Sequence, residues 1–327
     1  LSVSGGSENV KYFVSLSQKS QDGFYRNSGT KYNQYDVRSN LDIKVNDYVD
    51  FRIDLIGGME DRNYPVRSAG DIFRMVMRGK PNLPAYWPNG LPGPDIEYGD
   101  NPVVIGTDAT GYDRDKRYKL NSNFSLNIKI PGIEGLSVKG NAYVDKGFKF
   151  RKQWATPWTL YSWDGVSLDG DEPVLVPGLK GFSDARLTEE FDDYLGITLS
   201  ALANYTKTIN ENHDINFLVG VEKITREGDS FSAFRRDYVS TSIDQLFAGG
   251  QLDLTNTGVG FDEARLSYLG RVNYSFKKKY LAEFVWRYQG SYILNKSSRY
   301  GFFPGVSLGY VLSEEDFWSE NLSFISF

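Results

Sequence analysis

The sequence predicts an all-β fold, a transmembrane antiparallel up-and-down β-barrel with short periplasmic turns and long extracellular loops. Three observations predict it. Apolar and polar residues alternate with period two over 35–55, so the two faces of a strand pair meet different media. Strand-like segments are joined by connections that alternate between short and long. No run approaches the roughly 18–20 apolar residues of a membrane helix, whereas 22 Tyr, 21 Phe and 6 Trp are enough for interfacial girdles. The mean hydropathy of −0.43 fits spans that alternate and so average to a polar value.

The 35–55 stretch fixes a register. Tyr35, Val37, Leu41, Ile43 and Val45 share one face, and Asp36, Arg38, Asn40, Asp42 and Lys44 share the other. Val49, Phe51, Ile53 and Leu55 alternate likewise with Asp50, Arg52 and Asp54. A two-residue turn would set Lys44 against Val49. A three-residue loop, 46–48, sets Ile43 against Phe51, Asp42 against Arg52 and Lys44 against Asp50, which satisfies both faces and pairs opposite charges.

Taken in order, 1–4 reads as a partial strand and 10–19 as the next. After the 35–55 hairpin comes an irregular stretch, 57–117, with a short helix over 71–78 capped from Ser68 or Asp71 and a Pro- and Gly-rich segment, 81–94. Strands follow at 118–130, 136–146, 194–209, 215–226, 264–276, 280–289 and 302–312, and one more starts at 322–327. That makes 12 segments, one partial at each end. Short connections fall near 5–9, 46–48, 131–135, 210–214 and 277–279, and long ones near 20–34, 57–117, 147–192, 227–262 and 290–300. In a meander, one end is therefore neat and the other elaborate. Tyr118, Tyr194, Tyr205, Tyr268, Tyr274 and Tyr288 are placed near strand ends, as girdle residues. The chain starts at Leu1 within a strand-like run, without an initiator Met or signal peptide, and ends in another at Phe327, so it reads as a piece of something longer or a processed form.

Composition excludes much. There is no Cys, so no disulfide or thiolate metal site, and one His, His213, leaves little room for a triad or His-based metal centre. With 37 basic and 42 acidic residues mixed locally, no basic stripe suggests nucleic acid. The pairs Asp192-Asp193, Glu189-Glu190 and Glu314-Glu315 are neighbours, and neighbours on a strand point to opposite faces, so they make no acid/base pair. No enzyme activity, metal or cofactor is expected. Asp164, Asp169 and Asp171 do not match an EF-hand loop, and His213 reads as a surface residue of a turn. The better candidates are loop aromatics that could stack on a ligand or cover a partner: Tyr86, Trp87, Trp154, Trp158, Tyr161 and Trp163. Asp36, Arg38, Asp42, Lys44, Asp50 and Arg52 are read as lumen-facing, lining a transport path or contacting a plug, with the plug favoured.

Three passages, LSVSGGSENVKYFVSLSQKSQDGF (1–24), YDVRSNLDIKVNDYVDF (35–51) and RYGFFPGVSLGYVLSEEDFW (299–318), resemble the SusC/RagA-like family of TonB-dependent outer-membrane transporters. The resemblance implies a 22-stranded barrel with an internal plug, of which residues 1–327 look like roughly the first half of the barrel, the plug and C-terminal barrel half being absent from this chain. It further implies a cell outer membrane of Gram-negative, Bacteroidetes-like type. The implied function is TonB-powered import of glycans, oligosaccharides or, in some branches, peptides. The implied partners are a SusD-like surface lipoprotein, the TonB complex through the plug, and the rest of the barrel. Two other readings stand beside it: a self-contained passive porin and a soluble carbohydrate-binding β domain.

Overall fold

The structure, a computed structural model, describes residues 1–315 and residue 318. Its strands are β1 (Ser2–Gly6), β2 (Val10–Asp22), β3 (Lys31–Lys44), β4 (Val49–Tyr64), β5 (Gly111–Lys129), β6 (Leu136–Ala155), β7 (Trp158–Ser162), β8 (Leu168–Asp169), β9 (Glu172–Pro173), β10 (Val176–Lys180), β11 (Arg186–Ile209), β12 (His213–Arg236), β13 (Thr255–Phe276), β14 (Tyr280–Ser291) and β15 (Tyr300–Tyr310). Helices α1 (Ala69–Arg78) and α2 (Pro102–Ile105) lie between β4 and β5. Eleven strands form one antiparallel sheet in the order β1-β2-β3-β4-β5-β6-β11-β12-β13-β14-β15, and β7–β10 and β8–β9 are small hairpins inside the β6–β11 connection. Among the described residues β1 and β15 each pair on one side only. The expected strand at 322–327 lies outside the described residues.

The predicted hairpin register holds: Ile43 faces Phe51, Asp42 faces Arg52 and Lys44 faces Asp50. The three-residue loop is fixed by Asn46, whose side-chain oxygen accepts from Tyr48 N at 2.8 Å and Val49 N at 2.9 Å, an Asx turn. One detail differs. The Lys44 ammonium reaches Asp47 at 2.7 Å rather than Asp50, because the turn residue lies closer to its free end. The predicted helix is also present, starting at Ala69. Ser68 is the cap, its Oγ accepting from Asp71 N at 3.1 Å.

Cross-strand register carries one apolar face through the whole sheet. Ile43, Phe51, Leu126, Gly140, Ala201, Val221, Tyr268 and Tyr288 stand in a single row. This face is open to the surroundings: Phe124, Leu126, Leu199, Val221 and Tyr268 are all exposed. On β13 it is apolar or aromatic from Phe276 to Ala264 and turns charged at Asp262. About 12 residues at roughly 3.3 Å each, tilted about 45°, give roughly 28 Å, close to the height of a lipid-facing belt. Asp61, Asp193, Glu227 and Asp229 mark the same boundary on β4, β11 and β12. Lys223, between Leu199 and Leu266, is a charged exception, and a lysine stem can lie on apolar surface while its ammonium reaches the boundary.

The ends of the sheet differ as expected, with connections 7–9, 45–48, 130–135, 210–212 and 277–279 at one end and 23–30, 65–110, 156–185, 237–254 and 292–299 at the other. The long connections are shorter than the sequence reading made them. β5, β6, β11, β12 and β13 continue well above the belt, so Trp154 belongs to β6 and not to a loop. Above the belt both faces meet water, so charges appear on each and the pattern that marks a membrane span fades. Tyr118 therefore sits well inside its strand, at the height where this leaves the belt, and Tyr268 stands within the apolar stretch of β13 itself. Tyr194 is also well inside its strand but on the opposite face, so it is no girdle residue. At the short-turn end, His213, Phe276, Tyr280 and Tyr310 form a row of rings, with Tyr280 and Tyr310 stacked at 5.3 Å. His213 Nδ1 lies 2.8 Å from the Tyr274 hydroxyl, so this histidine is a girdle member with a partner.

The face assignment makes a direct prediction. In the full-length protein refolded into lipid vesicles, Phe124→Arg, at the middle of the apolar face, costs about 2–4 kcal/mol of folding free energy. Asn127→Asp, three residues away on the polar face, costs less than about 1 kcal/mol. Equal losses in urea titrations would contradict the assignment.

Candidate functional site

The polar face changes character along its height. Beside the belt it is a hydrogen-bonded field: Asn123 donates to Asp54 at 3.0 Å, Ser125 to Asn141 at 2.9 Å and Asn141 to Ser200 at 3.0 Å. Arg287 joins it by binding Glu222 at 2.5 Å and Ser267 at 2.9 Å. Above the belt it becomes a lattice of alternating charge. Arg151 grips Asp113 through Nε at 2.8 Å and Nη2 at 2.5 Å and reaches Glu190 at 3.3 Å. Lys149 binds Asp192 at 2.6 Å, and Arg117 binds Asp115 at 2.6 Å. Opposite charges are matched here, which keeps the wall wet without a strong net field. The adjacent acids do separate by face: Asp192 takes Lys149, while Asp193, on the other side, takes Lys146 at 2.6 Å.

Over this wall the connections 65–110 and 156–185 build a cap with its own core. Ile72 and Met75 of α1, Val104 and Ile105 of α2, and Trp158 and Leu160 of β7 are buried together, with Tyr25, Ile96 and Val103 against them. Indole and ammonium donors lock the two connections. Trp158 Nε1 donates to Gly99 O at 3.0 Å, Trp87 Nε1 to Tyr161 O at 2.9 Å, and Lys180 Nζ to Asp95 at 3.3 Å. Gly181, at φ +81°, lets the chain pass the Trp158 ring; a Cβ there would come within 2.2 Å of it.

On the opposite, apolar face a second cover forms. Trp154, Ala185 and Leu187 are buried under 237–254 through Tyr238 and Leu246, and Trp154 meets Tyr238 edge-on at 4.6 Å. The Tyr112 hydroxyl donates to Asp244, which also takes Lys152 at 3.4 Å. Burial works against ionisation of Asp244, but these two donors outweigh it and hold the carboxyl below its usual range. Burial pushes the Tyr238 hydroxyl up to about 12.

Between the cap and the polar wall is a cavity of about 180 Å³, lined in part by Arg67, Thr110, Gln153, Trp158, Phe182 and Arg186. The Arg67 guanidinium lies 5.3 Å from the Trp158 ring centre and 3.1 Å from Asp100, and Arg186 lies 3.8 Å from the Phe182 ring centre and 3.1 Å from Asp184. Burial raises the Asp100 carboxyl despite Arg67. A larger cavity, about 580 Å³, opens on the polar face near the short turns, between Lys11, Asp42, Lys44, Asp50, Arg52 and Lys139.

The predicted residues fall into distinct places. Trp154 and Trp158 are buried in the two covers on opposite sides of the sheet, and Trp87 and Tyr161 are half-buried partners. Tyr86 and Trp163 are exposed, 45% and 38%. Asp36 accepts from Gln34 at 2.6 Å, Arg38 donates to Asn40 at 2.9 Å, and Asp42 pairs with Arg52, all on the polar face together with Lys44 and Asp50. Asp164 caps its own turn, accepting from the Ser167 hydroxyl and from Ser167 N and Val166 N, which together hold its carboxyl at about 2. Sequence reasoning missed Arg67, Thr110 and Arg186. They are far apart in the chain, and no local pattern links them.

Comparison with known proteins gives the chain its relatives. No protein-family model matches it. It is 25% identical over 343 residues to TonB-dependent receptor P3 of Formosa agariphila, covering 98% of this chain and 31% of that protein. It is 23% identical over 346 residues to the TonB-dependent receptor SusC of Bacteroides thetaiotaomicron, covering 97% of this chain and 31% of that protein. Among solved structures, the RagAB peptide transporter matches with a TM-score of 0.72 at 21% identity, over 98% of this chain and 34% of that one. The chain thus spans about a third of the length of the relatives it matches. The similarity to TonB-dependent receptors extends along nearly the whole chain, and the fold matches part of the RagAB transporter chain.

Two predictions test the covers. Trp158→Ala removes the ring at the centre of the cap and costs it about 3–5 kcal/mol; proteolysis of the full-length protein then cuts within 65–110 while the barrel strands stay intact. The second concerns pH. Asp244 is more acidic folded than unfolded, so its stabilisation is present above the ordinary carboxylate range and fades as pH falls through the folded value. Hydrogen-exchange protection in 237–254, taken relative to the intrinsic rate at each pH, therefore falls below about pH 4, and Asp244→Asn lowers it at neutral pH as well.

Proposed function

We propose that this chain forms roughly the first half of the barrel of an active outer-membrane importer, TonB-dependent and without enzyme activity, that takes up glycans, oligosaccharides or peptides. The observation that carries this is the pairing of a continuous outward apolar belt with an elaborated, capped end over a charged wall, in a chain 98% of which matches part of the RagAB transporter chain. The belt faces lipid and the polar face a lumen. The long-loop end is extracellular and meets substrate, and the short turns are periplasmic.

Asp36, Arg38, Asp42, Lys44, Asp50 and Arg52 face the plug, which the roughly 580 Å³ cavity beside them would receive, and the TonB complex acts through that plug. Further strands of the same barrel pair with the open sides of β1 and β15, since unpaired edges at membrane depth are not tolerated. A SusD-like lipoprotein lies over the cap, where α1 leaves Phe73, Val76 and Met77 exposed. Among the predicted aromatics, Tyr86 and Trp163 contact ligand, Trp87, Trp158 and Tyr161 hold the cap that presents them, and Trp154 packs in the cover on the opposite face.

The test uses cells carrying the full-length protein and fluorescent oligosaccharide and peptide pools. Uptake stops when TonB is deleted, and Tyr86→Ala or Trp163→Ala lowers substrate affinity by roughly 2- to 12-fold. Uptake that continues without TonB sinks the active-import reading in favour of passive diffusion. Unchanged affinity in both variants removes the aromatics from the ligand site.

A further inference from the structure

The roughly 180 Å³ cavity under the cap has a wall unlike the rest of the polar face. Elsewhere above the belt cations are matched by acids on the same face, as Arg151 is by Asp113 and Glu190. Here two guanidiniums, Arg67 and Arg186, line one small space, and the remaining described wall residues, Thr110, Gln153, Trp158 and Phe182 among them, are neutral. The acids that balance the arginines stand outside the wall, Asp100 beside Arg67 and Asp184 beside Arg186, each engaging a terminal nitrogen. Both forks are held by aromatic rings, Trp158 and Phe182, so their planes are set before any ligand arrives.

Hydrogen bonding inside this wall is also incomplete. Arg67 Nε, Arg186 Nε and Thr110 Oγ1 are buried and have no hydrogen-bond partner among the described residues. Thr110 is fully buried, so bulk water does not serve it. A buried donor without a partner is costly, and three on one small cavity are a feature that a ligand can answer.

We propose that this cavity is a subsite for a carboxylate carried by the incoming ligand. A carboxylate is acceptor-only, with about four lone-pair sites on two oxygens, and matches a guanidinium fork in plane. It can answer the two guanidinium Nε–H donors and the hydroxyl at once, whereas a neutral hydroxyl or amide oxygen offers fewer acceptor sites and no charge-assisted bond. The space is on the scale of roughly six water volumes, so it admits one end group and not a whole chain. Sugar stacking does not explain the site. The Trp158 ring has Arg67 on it and Gly181 pressed against it, which leaves it no free face for a sugar ring. Arg186 and Thr188 belong to the polar face of β11, so the subsite stands beside the proposed import path. The proposal rests on the import reading and adds the chemistry of one end of the cargo.

Two sources supply this group: a uronate of an acidic glycan, or the C-terminus of a peptide. Calorimetry on the full-length complex in mild detergent separates them with two probe pairs, trigalacturonate against its methyl ester and tetra-alanine against its C-terminal amide. The expected result is that one free-acid probe binds roughly tenfold or more tighter than its capped form. Arg186→Gln and the near-isosteric Thr110→Val shrink that ratio towards one and leave the capped form's affinity unchanged, which also shows that the cap is folded. The preferred pair names the source. Equal binding of acid and capped forms in both pairs, or no binding by any probe, overturns the proposal, as does a ratio that survives Arg186→Gln. TonB deletion leaves the binding ratio unaltered, so loss of the import reading and loss of this subsite are read out separately.

Discussion

The hydrogen-bonded ladder between neighbouring strands is the constraint from which the other features follow. In hydrocarbon no water serves backbone amides and carbonyls, so each strand must pair along its full membrane height. The sheet does this from β2 to β14 with registers that neither slip nor cross. Once the ladder is fixed, side chains alternate strictly, and the row from Ile43 to Tyr288 stays on one side over eight strands. The ladder does not stop at the belt. It carries β11 and β12 upward to Arg186 and Arg236, and that extra height gives the loops two walls to fold against.

Those walls are used differently. Trp154 and Trp158 are four residues apart, yet one closes the outer cover with Tyr238 and the other centres the cap over the polar face. The turn between β6 and β7 makes this separation. Each indole spends its ring on packing, and Trp158 also donates to a backbone carbonyl, so the cap is a preformed surface rather than a set of loose loops. Of the exposed rings, Tyr86 stands next to Trp87, which is hydrogen-bonded across the cap, while Trp163 lies in an exposed turn where its indole donates to Ser167 O at 2.7 Å.

Electrostatics divides the polar face in the same way. The wall lattice is self-neutralising through pairs such as Lys149–Asp192 and Arg117–Asp115. The small cavity beside Trp158 keeps two cations on its lining and places their acids behind. The wall is therefore close to neutral along its height, and the cavity differs from it in having its acids behind the lining rather than on it.

By itself the sequence determined the β class, the 46–48 loop and its register, the helix at Ser68, and the sorting of short from long connections. It could do so because a strand between lipid and water must write its two environments into alternate residues, and Asn46 or Ser68 acts on backbone only two or three residues away. Tertiary structure alone decided where the strands end, since above the belt Phe150 and Lys152 can share a face and both remain wetted or covered by a loop. It also decided which tryptophans are buried and which rings are free. Arg67, Thr110 and Arg186 meet only because 65–110 and 156–185 fold over the same wall, and no local spacing encodes a contact between segments so far apart.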